Sequence, residues 1–567
     1  MHACCSGCSV LLYLAACAGP GPSTPVGPQP RQVAPTCLSI GAWNDLHGQI
    51  GADEPIVDTG AIPAGGVVAL ADAISDLRAT KDTVVLLDAG DLFTGPLAST
   101  VAEGAPIIEA YRVIGVDAAA IGNHEFDFGP VGYDVVYAQP DAGDAAGARG
   151  PRGALVARMA SASFPFLSAN IHVADGASPG WPNFAASVHI RRGGFDVGVV
   201  GYTTQTTPST TSRANVVGLD FSTNAGASIA AEIRALRASG ASPVVLLAHA
   251  SLDGALPQSL DEPTNEPRGG ELATLIATLG EDRPDVIIAG HRHAWMLGRL
   301  DGIPIVSSDQ HGVGLARLRF CRDRDRVELQ SIERLAVLAA SPPRTALGRD
   351  VDRVTAPWVS AVAAKGDQLV ATLRRDCPMQ GVRGTAGAEQ VAIAILLHAS
   401  DASAAAKGVP VVAVMNAGAI RSPLRRGPVR YEDLFSAFPF ETTVAVCGTT
   451  RAGLARILRN ALSGPSAWRK FPFALAGATA TIEIGHDGTP SLVGFTIDRN
   501  LAPDNDSPLW LAVPDFILDG GDGFLDGVVC TAHARSSTRI RDAWVETIAR
   551  DPGGCAGPPS NVVVRSP

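Results

Sequence analysis

TVVLLDAGD, at residues 83–91, is a run of apolar residues that turns abruptly polar at its end. Such a run is typical of a strand that is buried on both faces of a sheet. Four other segments have the same form: CLSIGAWNDLH (37–47), DAAAIGNHEFD (117–127), PVVLLAHAS (243–251) and DVIIAGHRH (285–293). The chain therefore predicts an α/β fold with these runs as buried strands.

Residue types that bind metals follow all five runs. In open α/β sheets, ligands bind just beyond the carboxyl ends of the strands, so these side chains should meet at one edge. They are Asp45, His47, Asp91, Asn123, His124, His249, His291 and His293. A single His or Asp after a strand is more often a cap or a turn residue. Their recurrence at successive strand ends instead predicts a metal site.

The ligand types also indicate which metals would bind. Imidazole, carboxylate and amide groups without cysteine suit divalent ions such as zinc, manganese or iron. The set without His124 is too large for one tetrahedral ion but suits two ions that share a carboxylate, and we expect Asp91 to be the shared ligand. Two divalent cations against two aspartates leave a formal charge of about +2, or about +1 with a bridging hydroxide. Such a site attracts phosphate oxygens.

These segments resemble the five signatures of the calcineurin-like metallophosphoesterases, in the order that the family has them. The signatures are NDLHGQI, DAGDLFTG, GNHEFDFG, LLAHAS and GHRHA. Three later segments, MNAGAIRSPL, YEDLFSAFPFETTV and DFILDGGDGF, resemble the C-terminal nucleotide-binding signatures of the 5'-nucleotidase subgroup. The resemblance implies a four-layer α/β/β/α metallophosphoesterase sandwich with a second α+β substrate-binding domain. It also implies one metal bound by Asp45, His47, Asp91 and His293, and another by Asp91, Asn123, His249 and His291.

His124 differs from its neighbours because Asp127 lies three residues further on. In the family that this segment resembles, the matching His is not a metal ligand but acts near the leaving group and the transferring phosphoryl, held by that Asp. An imidazole paired with a carboxylate keeps a defined tautomer and can stay protonated to neutralise developing charge. The resemblance therefore implies catalytic roles for His124 and Asp127. The alternative is a structural hydrogen bond beside the ligand Asn123.

The second half of the chain has candidate substrate-binding residues in place of a metal-ligand series. Asn416 and Arg421 follow an apolar strand, where an amide and a guanidinium can contact a base, a ribose or a phosphate. Phe516 and Asp522 flank a Gly-rich turn, where a ring can stack on a base and a carboxylate can accept hydrogen bonds from ribose. The resemblance implies that this half holds the nucleotide.

Two more substrate-binding residues come from the resemblance alone. Phe473, in FPFALAG, is expected to be the second stacking aromatic, in preference to Phe471. Arg383, in GVRGTAGAEQ, matches a phosphate- or carboxylate-binding Arg. The chain also departs from the family pattern, because Ala419 and Glu441 stand where the family usually has glycine. A bulkier pocket would change which base is accepted.

Length and composition predict two globular domains, because 567 residues exceed the size at which a single core stops growing. The apolar core SVLLYLAA is too short to span a membrane and ends at Cys17, where LAAC resembles a bacterial lipobox. An ordinary cleaved signal peptide is the alternative, since no Lys or Arg precedes this core. We expect a signal peptide at 1–17, a Gly/Pro-rich linker at 18–36, a metallophosphoesterase domain at 37–337, a linker at 338–355, a substrate-binding domain at 356–550 and a tail at 551–567.

The cysteines indicate an oxidising compartment. Those that follow Cys17 are even in number, are widely scattered and lie outside every ligand motif. Of the fifteen pairings that six cysteines allow, we favour two disulfides: Cys37 with Cys321, and Cys530 with Cys555. The alternative is buried free thiols.

The formal net charge is −11 and basic residues do not cluster, which disfavours nucleic acid as a partner. The resemblance implies a two-metal phosphohydrolase of the 5'-nucleotidase type, which releases phosphate from extracellular or periplasmic nucleotides by attack of a metal-bound hydroxide. A 2',3'-cyclic nucleotide phosphodiesterase, a nucleotide-sugar pyrophosphatase and a thiosulfate-ester hydrolase share the metal motifs and stay open. A non-catalytic surface nucleotide-binding protein is a further alternative. We expect a small nucleotide as the partner and membrane contact only through a lipid anchor; the sequence has no signature of oligomeric state.

Overall fold

A computed structural model describes most of the chain. The described residues are 36–52, 63–132, 149–173, 176–221, 225–252, 256–261, 270–324, 326–378, 386–402, 409–463, 472–485, 489–498, 504–552 and 561–565. Cys17, Arg383, Phe471, Cys555, the expected signal peptide and the linker up to residue 35 lie outside them. No helix among the described residues is long and apolar enough to cross a membrane.

The first part of the chain alternates strands and helices. Its strands are β1 (Cys37–Trp43), β2 (Thr83–Asp88), β3 (Ala118–Ala120), β4 (Phe166–Leu167), β5 (His172–Val173), β6 (Phe184–Ala185), β7 (Ser187–Arg192), β8 (Phe195–Thr203), β9 (Leu219–Asp220), β10 (Val244–His249), β11 (Val286–Ala289), β12 (Met296–Leu300), β13 (Ile303–Ser307), β14 (Gly314–Asp323) and β15 (Arg326–Ala336). Its helices are α1 (Val67–Arg78), α2 (Leu97–Val101), α3 (Ala105–Ile114), α4 (Gly153–Ser161), α5 (Thr207–Thr210), α6 (Ala225–Ala238) and α7 (Glu271–Thr278).

These elements form two stacked sheets with helices on both outer faces. One sheet has the order β15-β14-β1-β2-β3-β4-β6 and the other has the order β12-β13-β11-β10-β8-β7. Aliphatic side chains of both sheets, such as Ile40, Val85, Val199 and Leu247, share one buried cluster between them. The outer faces pack against helices in two further apolar clusters. The α/β/β/α sandwich expected from the sequence is therefore confirmed, and all five quoted runs are buried strands within it.

A second set of elements follows β15. Its helices are α8 (Ala346–Gly366), α9 (Ala386–Ala402), α10 (Tyr431–Ala437), α11 (Arg451–Ser463), α12 (Asp515–Leu518) and α13 (Ile540–Arg550). Its strands are β16 (Leu369–Leu373), β17 (Val411–Asn416), β18 (Gly427–Arg430), β19 (Thr443–Thr450), β20 (Phe473–Ala476), β21 (Ala478–Ile484), β22 (Pro490–Ile497), β23 (Pro508–Pro514), β24 (His533–Arg539) and β25 (Val562–Arg565). Five of these strands form a sheet in the order β20-β17-β23-β19-β24.

Two elements of this second set differ from the sequence-based expectation. α8 begins at Ala346, within the segment expected to be a linker, and packs on α1, α2 and α3 of the first set. β25 lies in the expected tail and pairs in parallel with β21. We propose that the two domains divide between β15 and α8, and that α8 is the helix that links them.

Asp72 fastens the linking helix to the first domain. Its buried carboxylate accepts hydrogen bonds from the backbone N–H groups of Arg344 (2.8 Å) and Thr345 (2.8 Å) and from the Thr345 hydroxyl (2.6 Å). The Thr345 side chain in turn caps α8 by accepting from the Gly348 N–H. Burial alone would raise the pKa of Asp72, but the hydrogen bonds from Thr345 and Arg344 outweigh it and hold this pKa below its usual 3.8.

We expect Asp72→Ala to lower the free energy of unfolding by about 3 kcal/mol, because three donors in partly buried hydrogen bonds lose a charged acceptor. Since the pKa is lowered on folding, this contribution is present above pH 3.8 and is lost as the pH falls through the folded-state pKa. Urea unfolding at pH 7 and at acid pH measures both effects. Asp76→Ala, on the exposed face of α1 and paired with Arg344, is the matched control and should cost less than about 1 kcal/mol. Equal losses in the two variants would contradict this account.

The disulfides agree with one of the two pairings expected from the sequence. Cys37 on β1 and Cys321 on β14 are register partners in adjacent strands and form a disulfide, which confirms the first pairing. The second pairing is wrong, because Cys530 is bonded to Cys447 of β19. The segment just after Cys530 runs beside β19, so that these two cysteines meet across the sheet edge. Cys377 is also disulfide-bonded.

Candidate active site

The side chains that follow the five buried strands converge beyond the carboxyl ends of β1, β2, β3, β10 and β11. Ligand atoms of Asp45, His47, Asp91 and His293 all lie within 4.8 Å of one another. Those of Asp91, His249 and His291 form a second group at the same spacing. Both stacked sheets contribute to the cluster, and Asp91 belongs to both groups, as expected for a shared carboxylate.

Individual distances describe a tight cluster. Asp91 Oδ2 lies 3.1 Å from His249 Nε2 and 3.7 Å from His47 Nε2. Asp45 Oδ1 lies 3.3 Å from His293 Nε2. The Asn123 amide oxygen lies 3.2 Å from His249 Nε2, so that it belongs with the second group. Every metal-ligand residue expected from the sequence is therefore at one edge of the sandwich.

The chemistry of this cluster fits divalent cations. Asp45 Oδ1 and Asp91 Oδ2 are buried, face imidazole nitrogens and accept no hydrogen bond of normal geometry from the described residues. Their other oxygens do accept: Asp45 Oδ2 from the His291 N–H (2.8 Å), and Asp91 Oδ1 from the His124 N–H (2.9 Å). Buried carboxylate oxygens are costly unless a donor or a cation satisfies them. The residues therefore suit a metal centre.

Backbone carbonyls orient two of the imidazoles. His47 Nδ1 donates to the Thr94 carbonyl at 3.0 Å, and His249 Nδ1 donates to the Ala89 carbonyl at 2.8 Å. Outer hydrogen bonds of this kind fix the ring orientation and leave Nε2 for the metal. Both Nε2 atoms face the Asp91 carboxylate.

Glu125 joins two of the ligand loops, a role that the sequence analysis missed. Its buried carboxylate accepts hydrogen bonds from the backbone N–H groups of Asp91 (3.0 Å), Leu92 (2.6 Å) and Gly122 (2.6 Å). Burial, followed by the charge of Asp91, raises the pKa of Glu125 to about 8. The signal was present in the sequence, because Glu125 lies between His124 and Asp127, and a charged residue has to be paired if it is buried there.

Many of the ligands have a left-handed backbone. φ is 50° at Asp45, 49° at His47, 62° at Asp91, 79° at His291 and 57° at His293. This region is unfavourable for residues with a Cβ, and such strain persists mainly at functional sites. Backbone hydrogen bonds from Asp45 N–H to the Gly90 carbonyl and from His47 N–H to the Asp91 carbonyl, both 2.9 Å, hold the loops in place.

His124 and Asp127 form a pair beside the metal-ligand cluster. His124 Nδ1 lies 2.7 Å from Asp127 Oδ2, and the Thr211 hydroxyl donates to the other Asp127 oxygen at 2.9 Å. His124 Nε2 therefore points away from Asp127, and it lies 2.6 Å from Arg421 Nη2. The arginine of the second domain thus contacts the histidine of the first.

One cavity joins the cluster to the second domain. The first-domain residues on its wall include Asp91, Asn123, His124 and His291. The second-domain residues on its wall include Asn416, Arg421, Phe440, Glu441, Phe516 and Asp522. Asn416 Nδ2 donates to Asp522 Oδ2 at 2.8 Å, and the Arg421 guanidinium lies 5.2 Å from the centre of the Phe440 ring. The structure therefore brings four of the six expected substrate-binding residues together.

Phe473 is not at this cavity, which corrects the sequence-based expectation. Its side chain is 1% exposed and packs in the core of the second domain, because it begins the buried strand β20. Phe440 and Phe516 are the partly exposed aromatics on the cavity wall, to which the buried Phe438 also contributes. It lies in the quoted segment YEDLFSAFPFETTV, just before β19, where a loop position leaves the ring free to face a ligand. Arg383 lies outside the described residues.

Glu441, which replaces a usual glycine of the family, is also on the cavity wall. Its carboxylate pairs with Arg541 and with Arg539 (2.8 Å). Arg541 is fully buried and its guanidinium also donates to the Phe440 carbonyl at 3.4 Å. The Glu441 carboxylate therefore helps to hold Arg541, which in turn binds the backbone of Phe440.

Comparisons with known proteins agree with this geometry. The calcineurin-like phosphoesterase model matches residues 38–295, and the model of the 5'-nucleotidase C-terminal domain matches residues 361–527. Endonuclease YhcR of Bacillus subtilis (strain 168) is 25% identical over 472 residues, which are 80% of this chain but only 35% of that protein. The probable 5'-nucleotidase of Treponema pallidum (strain Nichols) is 23% identical over 568 residues, covering 84% of this chain and 85% of that protein.

A solved structure has the same fold over nearly the whole chain. The 5'-nucleotidase precursor from Thermus thermophilus superposes with a TM-score of 0.75 at 20% identity, and the match covers 93% of this chain and 99% of that one. The two family models thus match consecutive parts of the sequence. The metal-ligand cluster lies in the first part, and residues of both parts line the cavity. The chain therefore carries a calcineurin-like phosphoesterase domain followed by a 5'-nucleotidase C-terminal domain, and this pair identifies it as a 5'-nucleotidase-like, metal-dependent phosphoester hydrolase.

Proposed function

We propose that the chain releases phosphate from nucleotides, as a two-metal phosphohydrolase of the 5'-nucleotidase type. One observation carries this proposal: a single cavity has metal-ligand residues on one wall and paired aromatic, amide and guanidinium groups on the other. A nucleotide has the matching parts, because its phosphate suits cations and arginine while its base suits aromatic rings. A non-catalytic binding protein would not need the complete ligand set.

Each wall has a separate task in the proposed reaction. Two divalent cations, when bound by the ligand residues, neutralise the phosphoryl oxygens and make water a better nucleophile. His124, oriented by Asp127, supplies a proton or a positive charge to the leaving oxygen. Arg421 lies within hydrogen-bonding distance of His124 and can pair with a phosphate oxygen. Phe440 and Phe516 hold the base, and Asn416 with Asp522 binds the ribose hydroxyls.

Phosphate release by the full-length chain tests the reaction type. AMP, ATP, 2',3'-cyclic AMP, a UDP-sugar and an S-sulfonated thiol are compared with manganese, with zinc and with a chelator. Chelator-sensitive release from AMP supports the 5'-nucleotidase proposal. Release only from the cyclic nucleotide, the UDP-sugar or the S-sulfonated thiol would replace it by the corresponding alternative. Metal binding without any cleavage would favour a binding role.

We expect Phe440→Ala to raise KM for AMP about tenfold, because a stacked base loses one aromatic contact. KM for ribose 5-phosphate, which has no base, should change little. Steady-state kinetics with both substrates separate a base contact from general damage. Phe473→Leu is the matched control, since this ring is in the core and should leave the ratio of the two KM values unaltered. If Phe440→Ala changed KM equally for both substrates, Phe440 would not be a base-binding residue.

We also propose that the chain is exported and carries a lipid on Cys17. The disulfides Cys37–Cys321 and Cys447–Cys530 support an oxidising compartment. Labelling cells with a radioactive fatty acid should mark the wild-type chain and not Cys17→Ser. A chain that is exported but never labelled would instead indicate an ordinary cleaved signal peptide.

A further inference from the structure

The loop after α5 is fixed rigidly beside the His124–Asp127 pair. Thr211 and Asn215 are both buried, and each bonds to the segment that carries Asp127. The Asn215 amide donates to the Phe126 carbonyl at 2.8 Å, and Arg152 donates to the Asn215 carbonyl at 3.0 Å. The backbone between Thr211 and Asn215 is therefore held from both ends.

Ser212 and Arg213 lie within this fixed segment and line the cavity. Arg213 is exposed, and neither its guanidinium nor the Ser212 hydroxyl is bonded to another group in the part of the chain that the structure describes. Other charged side chains on the cavity wall already have partners. Arg421 contacts His124, and Asp519 pairs with Arg535. A hydroxyl and a permanently charged guanidinium thus remain side by side, facing the substrate space.

Arg213 lies near the part of the cavity that is proposed to hold the ribose and the base. A Cβ added to Gly520 would lie 3.0 Å from Arg213 Nη1, so the guanidinium rests against the backbone of Gly520. The next residues form the turn that carries Asp522, and Gly521 contacts the Phe516 ring. Arg213 is therefore at the ribose and base end of the cavity rather than at the metal ligands.

We infer that Arg213 and Ser212 bind a second phosphate group of the substrate, attached to the ribose of the nucleotide whose scissile phosphate lies at the metal ligands. This inference rests on the proposed function. A guanidinium matches two phosphate oxygens with parallel hydrogen bonds, whereas a neutral ribose offers it no opposite charge. The same chemistry is offered by a nucleoside 3',5'-bisphosphate and by the next phosphodiester of a short oligonucleotide.

Ratios of kcat/KM test this inference. The substrates are AMP, adenosine 3',5'-bisphosphate and the dinucleotide pApA, and the readout is release of the 5'-phosphate. We expect the wild-type chain to prefer at least one of the two larger substrates over AMP by about tenfold. Arg213→Ala should bring that ratio close to one, and Arg213→Lys should keep part of it. Arg234→Ala, a surface arginine on α6 of the same domain, is the matched control and should keep all of it.

The two larger substrates identify the source of the second phosphate. Preference for the bisphosphate alone indicates a terminal phosphate, and preference for pApA indicates an internucleotide one. A wild-type ratio near one overturns the inference, as does an unchanged ratio in Arg213→Ala. An equal loss on all three substrates also overturns it, because Arg213 would then act only in bringing the domains together.

A binding measurement separates this inference from the proposed function. Calorimetry with manganese compares the Kd values of adenosine 3',5'-bisphosphate and AMP on the slow His124→Ala chain, which should keep its metals, and the comparison is repeated with Arg213→Ala added. Tighter binding of the bisphosphate that disappears with Arg213→Ala supports the second-phosphate site even if AMP is never hydrolysed. Equal Kd values overturn it even if AMP proves to be the substrate.

Discussion

Asp91→Asn should reduce phosphate release from AMP by more than about 10³-fold, which is the largest effect expected of any single substitution here. Asp91 is the one side chain that belongs to both groups of ligand atoms among the described residues. Replacing its carboxylate by a neutral amide removes a negative charge that both groups of ligand residues would offer to their cations. Bound metal, measured by mass spectrometry of the purified chain, should fall together with the rate.

Asp88→Asn is the matched control for this experiment. Asp88 is also fully buried and lies three residues earlier, but its oxygens accept from the Tyr111 hydroxyl and the Gly90 N–H rather than facing imidazoles. Burial raises the pKa of Asp88 to about 7, so a neutral amide is a close substitute. We expect Asp88→Asn to release phosphate from AMP at a rate within a few-fold of wild type. Comparable losses in both variants would mean that buried charge near β2, and not metal binding, explains the Asp91 result.

His124→Ala should lower kcat for AMP by about 10²- to 10⁴-fold without releasing the metals. The imidazole is paired with Asp127 at 2.7 Å and faces the cavity through Nε2, so its loss removes a proton donor or a positive charge from the leaving group. KM should change far less than kcat. Steady-state kinetics and metal content of the same preparation distinguish this role from that of a ligand.

Two further variants make the His124 experiment specific. Asp127→Asn should have a smaller effect than His124→Ala, because the imidazole remains but loses its carboxylate partner. His189→Ala removes another histidine that is paired with an aspartate, Asp196, at 3.1 Å, and it lies on β7 away from the cavity. It should leave kcat unaltered. A kcat for His124→Ala within a few-fold of wild type would reduce the His124–Asp127 pair to a structural hydrogen bond.

The sequence was sufficient to predict that the ligand-type side chains cluster, because parallel strands of one sheet end at one edge and the two stacked sheets bring these edges together. An apolar run followed by Asp or His therefore fixes both the element and the direction in which its ligand lies. The Cys37–Cys321 disulfide was also accessible, because the two cysteines lie near the two limits of the domain expected at 37–337. The four-layer sandwich followed from the family signatures rather than from periodicity.

Other features depended on tertiary structure and could not be derived in this way. Phe473 and Phe440 both follow a Pro in a Phe-Pro-Phe segment, and only burial separates the core ring from the ring at the cavity. Cys447 and Cys530 meet across a sheet edge whose strand order is not encoded by local pattern. Arg213 has no signature at all, because its exposure to the cavity depends on a turn in the other domain.

The left-handed ligand residues have a consequence for comparing sequences within this fold. Each of these backbone positions costs an ordinary residue on the order of 1–3 kcal/mol that glycine would not pay. As long as catalysis is selected, Asp or His is kept there in spite of that cost. Once selection for catalysis ends, substitution by glycine relieves this strain at the least loss of packing at His291 and His293, whose side chains are only partly buried. Glycine at the position of His291 or His293 in a descendant would therefore mark the loss of the enzyme.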